Sequence, residues 1–246
     1  MRFLIKFSYD GTNYSGYQSQ PGLVTIQECL ENALTKINNG KKTTITSTGR
    51  TDKGVHANCQ YGHCDIDVEI TEYKLKRAMN SNLPDDIHVI ETKIVDDNFH
   101  ARYNVKSKEY KYYINLGEYN PIERNYIFQY NYKLNIDKMT EAIKYLIGEH
   151  DYRAFVTDNK EKENCIRTIT KANIEELDNN KICITFEGNG FLRYQVRNMV
   201  GILIRVGEEK IKPIKVKEIL ESKDRSKNGK TAPAVGLYLN KVEYKE

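Results

Sequence analysis

The order of strand-like and helix-like segments in residues 1–95 constrains the fold more than any other feature of the sequence. An alternating apolar strand at residues 3–7 leads to a helix whose start is marked by Thr25 and Glu28 at capping-box spacing. The segments that follow are a strand, a strand, a helix and a strand, at residues 43–47, 60–68, 71–83 and 87–94. This order is the ferredoxin-like pattern, and it predicts an α+β fold.

A second, longer alternation follows in the rest of the chain. It consists of a strand at 108–116, a helix at 137–148, a hairpin of strands at 168–177 and 181–187, helices at 193–206 and 214–222, and a strand at 237–242. The repeat is one of element order, not of sequence. It predicts two related halves, which we place at residues 1–105 and 106–246.

Composition narrows the class of protein. The 246 residues suffice to bury a substantial core. The first seven residues are too short and too charged for a signal peptide, and no apolar run approaches the roughly 20 residues that span a bilayer. These features predict a soluble, cytoplasmic protein that makes no membrane contact.

The five cysteines are odd in number and follow no secretory segment, which argues against a disulfide framework. His56, Cys59, His63 and Cys64 lie close enough in sequence to suggest zinc ligands, but their spacing fits no common zinc pattern. We therefore expect no metal, and we interpret Cys59 and Cys64 as small buried residues of a strand.

Charge is uneven along the chain. The first half carries 12 basic against 13 acidic residues, and the second carries 26 against 21. A basic half fits an RNA-binding protein with a local groove, and it also fits an ordinary soluble protein. The basic stretch at residues 223–230 fits either a loop that touches phosphates or a solvated loop.

The string Gly49-Arg50-Thr51-Asp52-Lys53-Gly54-Val55-His56-Ala57 places one carboxylate between two cations, with glycines on both sides. Glycines allow backbone angles that other residues resist, so the string predicts a shaped loop. The cations would keep Asp52 ionised, and an ionised carboxylate can act as a nucleophile. A surface turn with a solvated salt bridge is the other interpretation.

The nine-residue string resembles the signature of the tRNA pseudouridine synthase A family. Four further segments resemble that family's other motifs, occur in the same order and span nearly the whole chain. They are Tyr9–Gln18, the block Phe99–Arg102 with Lys108–Tyr112, Gly190–Gly201 and Thr231–Leu237.

The resemblance implies two ferredoxin-like (RRM-like) halves that share a mostly antiparallel sheet, with an active-site cleft at its centre. It also implies isomerisation of uridine to pseudouridine at positions 38 to 40 of the tRNA anticodon arm. That reaction breaks the C1′–N1 bond, turns the base and rejoins it through C5, so no cofactor is expected. The family's homodimer is implied as well.

Within the first half, the resemblance identifies Asp52 as the catalytic residue. We interpret Arg50 either as a cation that shapes the cleft and contacts RNA or as a structural ion-pair partner. Arg102 is expected to contact a phosphate, and Lys53 is a plausible neighbour of the substrate.

Within the second half, the resemblance assigns Tyr110 to the active site, where its ring can stack on the target base. By spacing alone, Tyr110 would be a core aromatic of a strand. Arg197 lies on an otherwise apolar helical stretch and therefore needs a partner or water. The resemblance suggests that it pairs with Asp52, and exposure on the surface is the alternative.

Two positions depart from the family pattern. Tyr17 replaces the usual tryptophan of the segment Tyr9–Gln18, which we call the opening motif, and Val235 occupies a position that is often polar. Other functions stay open at this point: the same chemistry on ribosomal RNA, a catalytically silent RNA-binding or chaperone protein, and a small-molecule enzyme on a ferredoxin-like fold. No motif favours the last of these.

Overall fold

The computed structural model describes residues 1–156 and 164–245. The chain forms two compact units, residues 1–106 with 238–245 and residues 107–237. We call them the first and second units. The division at residues 105 and 106 that the sequence suggests stays a prediction about folding domains.

Strands and helices alternate throughout the described residues. The strands are β1 Arg2–Tyr9, β2 Thr46–Ser47, β3 His56–Asp65, β4 Ile87–Val95, β5 Val105–Asn115, β6 Phe128–Gln129, β7 Gly148–Asp151, β8 Ile166–Leu177, β9 Lys181–Gly188 and β10 Leu237–Tyr244. The α-helices are α1 Ile26–Ile37, α2 Glu72–Asn82, α3 Ile136–Ile143, α4 Gln195–Gly207 and α5 Ile214–Ser222. The predicted α+β class is confirmed.

In the first unit, β1 lies between β4 and β3 and pairs antiparallel with both. Strand β2 pairs antiparallel with β3 near Gly62, and β10 pairs parallel with β3 where Tyr238 lies opposite His56. The chain order of β1, α1, β2, β3, α2 and β4 is the predicted ferredoxin-like order. Strand β3 therefore pairs with three strands of this unit, β1, β2 and β10. It begins directly after the loop that contains Asp52.

In the second unit, β9 lies between β5 and β8 and pairs antiparallel with both, and β7 pairs antiparallel with β8. Strand β6 pairs parallel with β5. The predicted hairpin of β8 and β9 is confirmed, and Asn179 and Asn180 in its turn have positive φ angles. Helix α4 contributes an almost wholly buried surface to this unit's core.

Local signals placed several elements correctly. Thr25 and Thr71 cap α1 and α2, because each hydroxyl accepts a hydrogen bond from the backbone N–H three residues later. Helix α5 has the predicted bounds. On β1, the side chains of Phe3, Ile5 and Phe7 are buried, as the alternation predicts, and Tyr9 continues the buried face.

Other boundaries were wrong. Strand β2 has only two residues, and β3 begins at His56 rather than at residue 60. Helix α3 ends at Ile143 and continues as a 3-10 turn, so the predicted helix to residue 148 is too long. Helix α4 begins at Gln195, because Tyr194 adopts a left-handed conformation with φ of 62° that an α-helix does not contain.

Strands β6 and β7 were not predicted, because two to four residues are too few to show a periodic pattern. None of the helices in residues 1–156 and 164–245 is both long and apolar enough to cross a bilayer.

Candidate active site

The loop between β2 and β3 carries the central residue of the nine-residue string. Asp52 is half-buried, whereas Arg50 and Lys53 are exposed. The Asp52 carbonyl accepts a hydrogen bond from the Val55 N–H at 3.1 Å, and Gly54 has a φ of +76° within this turn. A side chain at Gly54 would be strained in that conformation. The predicted shaped loop is therefore present.

The opening motif braces this loop through its backbone. A Cβ atom added at Gly11 would lie 2.1 Å from the Val55 carbonyl oxygen, and one added at Gly16 would lie 3.0 Å from the Thr51 oxygen. The Tyr17 N–H donates to the same Thr51 carbonyl at 3.1 Å. Only glycine allows the two backbones to approach so closely. Two motifs separated in sequence thus form one substructure.

Side chains of the first unit hold the start of the loop. The Gly49 carbonyl accepts from the Gln60 Nε2 at 2.9 Å and from the Ser47 hydroxyl at 3.0 Å. The Thr48 hydroxyl donates to the Tyr61 carbonyl at 3.0 Å. These bonds fix where the chain leaves β2, so the position of Asp52 is defined from both ends of the loop.

His56 has a structural setting at the end of the loop. It is buried, its ring stacks on Tyr238 with 4.7 Å between centroids, and its Nδ1 lies 3.1 Å from Asp10 Oδ1. The Gly11 N–H also points at this nitrogen, at 3.1 Å. The contacts account for His56 and Asp10 as supports of the loop.

The block at residues 99–102 is anchored to the same unit. The Ala101 N–H donates to His63 Nδ1 at 3.1 Å, and the Ala101 carbonyl accepts from the Tyr244 hydroxyl at 3.1 Å. Burial lowers the pKa of His63 to about 4, so this imidazole is a neutral acceptor. Arg102 itself is exposed, with its Cζ atom 6.0 Å from the Tyr103 ring centroid.

In the second unit, Tyr110 lies on β5 and is 9% exposed. It is paired in register with Phe186 on β9, and its ring meets that of Phe191 edge-on with 5.1 Å between centroids. Two residues on, the Tyr112 hydroxyl donates to the Pro233 carbonyl at 2.7 Å. The ring of Tyr110 thus has a packed, defined orientation.

Arg197 lies in the first turns of α4 and is half-buried. Its Nε donates to the Ala232 carbonyl at 2.8 Å, and its Cζ lies 5.0 Å from the Tyr194 ring centroid. Its charge also reaches the Tyr112 hydroxyl: burial raises the pKa of that phenol, and the Arg197 cation opposes the rise. The cation thus meets the partners that a polar group on an apolar helix requires.

A polar network beside Arg197 was not predicted. It joins Asn198, Arg225 and Thr231 through side-chain hydrogen bonds. The sequence shows Arg225 only as one cation of a basic stretch, and its inward orientation has no local signal. The only available sign was an asparagine in the apolar helix α4.

The candidate residues fall into two groups. The first unit carries Asp52, Arg50, Lys53 and Arg102, of which the first three share one loop; the second unit carries Tyr110 and Arg197. Cys59 and Cys64 are buried, unpaired residues of β3, as predicted. Among the described residues, no three His, Cys, Asp or Glu side chains are grouped to hold a metal ion.

Known proteins resemble this chain along nearly its whole length. A family model described as tRNA pseudouridine synthase matches residues 5–104 and 142–245. The chain is 47% identical over 244 residues to "tRNA pseudouridine synthase A" of Pseudothermotoga lettingae, which covers 99% of both chains. The proteins of that name from Thermoanaerobacter sp. strain X514 and Listeria monocytogenes serotype 4b are 46% and 41% identical, and each match covers at least 98% of both chains.

Proposed function

We propose, because the chain belongs to the tRNA pseudouridine synthase family, that Asp52 is the catalytic group with which it acts on uridines 38 to 40 of tRNA. The enzyme is an isomerase that converts uridine to pseudouridine in tRNA. One observation carries the proposal for Asp52: the half-buried carboxylate lies in a braced turn between two exposed cations. This setting favours an ionised and accessible carboxylate.

An ionised Asp52 can attack the sugar, attack the base or move a proton from C2′, and two of these routes begin at the sugar. It can attack C1′ as a nucleophile while the C1′–N1 bond breaks, or it can take a proton from C2′ while the base departs. In both routes the base turns, C1′ bonds to C5, and the proton on C5 is lost while N1 gains one. In the first route the bond between Asp52 and C1′ breaks as C1′ bonds to C5, and in the second route C2′ takes its proton back at that step. Atoms and electrons balance without an oxidant, so the proposed reaction needs no cofactor.

Deuterium at C2′ of the target uridine distinguishes the two routes. Proton removal from C2′ would slow the single-turnover rate several-fold with the deuterated RNA, whereas attack at C1′ would leave it nearly unchanged. The same RNA with deuterium at C3′ is the control, because neither route breaks that bond.

The remaining candidate residues would bind the RNA. Arg50, Lys53 and Arg102 are exposed cations of the first unit and suit contacts with phosphate, because phosphate contacts position RNA without reading its sequence. Tyr110 would stack on the uracil after the nucleotide leaves its stack in the RNA. Arg197 would bind substrate, and its pairing with Asp52 stays a prediction.

Unmodified tRNA transcripts that carry a single uridine at position 38, 39 or 40 test the targets. After incubation with enzyme, carbodiimide adducts read by primer extension locate each pseudouridine. We expect stops at all three positions. A matched transcript with uridine at position 37 only should give none. Ribosomal RNA is incubated with the enzyme in parallel. Stops on that RNA and none on the tRNA transcripts would contradict the proposed substrate and favour the same chemistry on ribosomal RNA.

We further propose that the enzyme is a cytoplasmic homodimer, in which one subunit supplies the active site while the other helps to hold the tRNA. Light scattering of the purified protein measures the assembly. Two chains of 28.6 kDa per particle are expected, and a monomeric mass at micromolar concentration would contradict this part of the proposal.

A further inference from the structure

We propose that Asn198, Arg225 and Thr231 form a side-chain clamp that positions the Arg197 guanidinium. The three are positioning residues, because they act through Arg197 rather than on the substrate. The inference rests on the substrate-binding role proposed above for Arg197. All of the contacts that carry it lie within the second unit.

Asn198 is the centre of the clamp. It is fully buried on α4, and both ends of its amide are bonded. Its Oδ1 accepts from the Thr231 hydroxyl at 2.7 Å and from Arg225 Nη2 at 2.9 Å, and its Nδ2 donates to the Phe155 carbonyl at 2.7 Å. A buried amide that is satisfied at both ends has one favourable orientation.

Arg225 closes the clamp from the segment that follows α5. Its Nη2 also donates to the Thr231 hydroxyl at 3.1 Å, and its Nη1 donates to the Gly229 carbonyl at 2.9 Å. The guanidinium therefore bonds protein groups on both of its terminal nitrogens. A residue that binds phosphate would instead direct these nitrogens away from the protein, so Arg225 is not oriented to bind phosphate.

The clamp reaches Arg197 through the residues next to Thr231 and Asn198 in sequence. Ala232 follows Thr231, and Arg197 precedes Asn198. The Ala232 N–H donates to the Arg197 carbonyl at 3.1 Å, and the Ala232 carbonyl accepts from Arg197 Nε at 2.8 Å. Because Nε is fixed, the plane of the guanidinium is fixed, and that plane decides where its terminal nitrogens point.

The close approach of the two backbones supports this account. A Cβ atom added at Gly201 would lie 2.1 Å from the Lys230 carbonyl oxygen. The segment before Thr231 thus lies directly on the backbone of α4, one turn after Arg197. Side-chain hydrogen bonds then set its register along the helix.

A double-mutant cycle tests the clamp. Arg225→Met and Thr231→Val are made in the natural sequence and in Arg197→Lys, and single-turnover rates are measured on tRNA with enzyme in excess. In the natural background we expect each substitution to lower the rate about ten-fold or more, with tRNA affinity nearly unchanged. In the Arg197→Lys background the loss should shrink to about two-fold or less, because the positioned group is gone.

Lys227→Met is the matched control, since it removes an exposed cation from the same segment. We expect it to leave the rate unchanged. Equal fold-losses from Arg225→Met in both backgrounds would overturn the clamp. So would a weaker, less salt-dependent tRNA affinity in both Arg225→Met and Lys227→Met, which would assign the segment to phosphate contact instead.

A measurement without RNA separates this inference from the proposed function. Nitrogen-15 NMR follows the exchange of the Arg197 Nε–H with water, and the signal is assigned by its loss in Arg197→Lys. We expect exchange about ten-fold faster in Thr231→Val than in the natural sequence, in samples whose melting curves show folded protein. Equal exchange would overturn the clamp even if the enzyme modifies tRNA as proposed.

Discussion

The Asp52 loop and the Arg197 end of helix α4 are held by different means. Backbone contacts hold the loop on both sides of Asp52: Gly11 lies against Val55, Gly16 lies against Thr51, and the Thr51 carbonyl accepts from the Tyr17 N–H. Side chains hold Arg197, through the network around Asn198. The loop exposes Arg50 and Lys53, whereas the network is centred on the buried Asn198.

The difference decides what a sequence can reveal. Backbone contact requires the absence of side chains, so it leaves glycines at fixed spacing that can be recognised. A buried side-chain network uses residues that also occur on surfaces, and its partners lie far apart in sequence. The difference also predicts which substitutions destabilise each region. Added side-chain volume should destabilise the Asp52 loop, and lost hydrogen bonds should destabilise the Arg197 end of α4.

Gly11→Ala should have the largest effect on stability. The new Cβ would lie 2.1 Å from the Val55 carbonyl, a backbone atom that cannot turn away. We expect a loss of about 3 kcal/mol in the free energy of unfolding, measured by urea denaturation, together with loss of activity.

Gly40→Ala is the control for that substitution. Gly40 has a φ of +80° and no atom within 4 Å of an added Cβ. Its substitution therefore costs only the strain of alanine in a left-handed conformation, about 1 kcal/mol. If Gly11→Ala costs no more than Gly40→Ala, contact between the opening motif and the loop does not hold Asp52 in place.

Asn198→Ala should have the second-largest effect on stability, and it should destabilise the Arg197 end of α4. It leaves the Thr231 hydroxyl, Arg225 and the Phe155 carbonyl without their shared partner in the core. We expect a loss of about 2 kcal/mol by urea denaturation. Asn82→Ala removes a comparable amide hydrogen bond at the exposed end of α2 and should cost less than about 0.5 kcal/mol. Equal costs would contradict the importance of burial.

Sequence patterns predicted best where the cause is local. The caps at Thr25 and Thr71 depend on atoms three residues apart, and the hairpin turn depends on its own residues. The start of α4 was missed because Tyr194 adopts a left-handed conformation without a glycine to announce it. The inward turn of Arg225 was missed because its partners are 27 and 6 residues away in sequence.

His63 sharpens the comparison, because its side chain holds the block at residues 99–102 in the first unit by accepting from the Ala101 N–H. The pH dependence of the free energy of unfolding tests this contact. Its pKa falls from 6.5 to about 4 on folding, so the unfolded chain binds the proton more readily in that interval. The stability that the neutral ring contributes is present above about pH 6.5 and is lost as the pH falls towards 4.

We expect the natural protein to lose about 1 kcal/mol more than His63→Gln between about pH 7 and pH 5 in urea denaturation. His88→Gln is the control, because His88 is exposed on β4. A natural protein and His63→Gln with parallel pH profiles would show that His63 is not held neutral.

Arg50→Ala and Lys53→Ala should have the smallest effect on stability, below about 0.5 kcal/mol, because both side chains are exposed. Their effect should appear in RNA binding. Each substitution should reduce the slope of log affinity against log salt by about 1. Lys41→Ala, in the same unit, should leave the slope unchanged. An unaltered slope in Arg50→Ala would remove that residue from the proposed phosphate contacts.

The most direct test of the central claim compares Asp52→Asn with Asp67→Asn. Asp67 is an exposed carboxylate of the same unit that pairs with Lys41 at 2.5 Å, so the two substitutions remove the same charge. Single-turnover rates of pseudouridine formation in tRNA and the affinity for that tRNA are measured for each. We predict a rate at least about 1,000-fold lower for Asp52→Asn alone, with affinity retained. A loss of less than about ten-fold, for Asp52→Asn and Asp52→Ala alike, would contradict catalysis by Asp52.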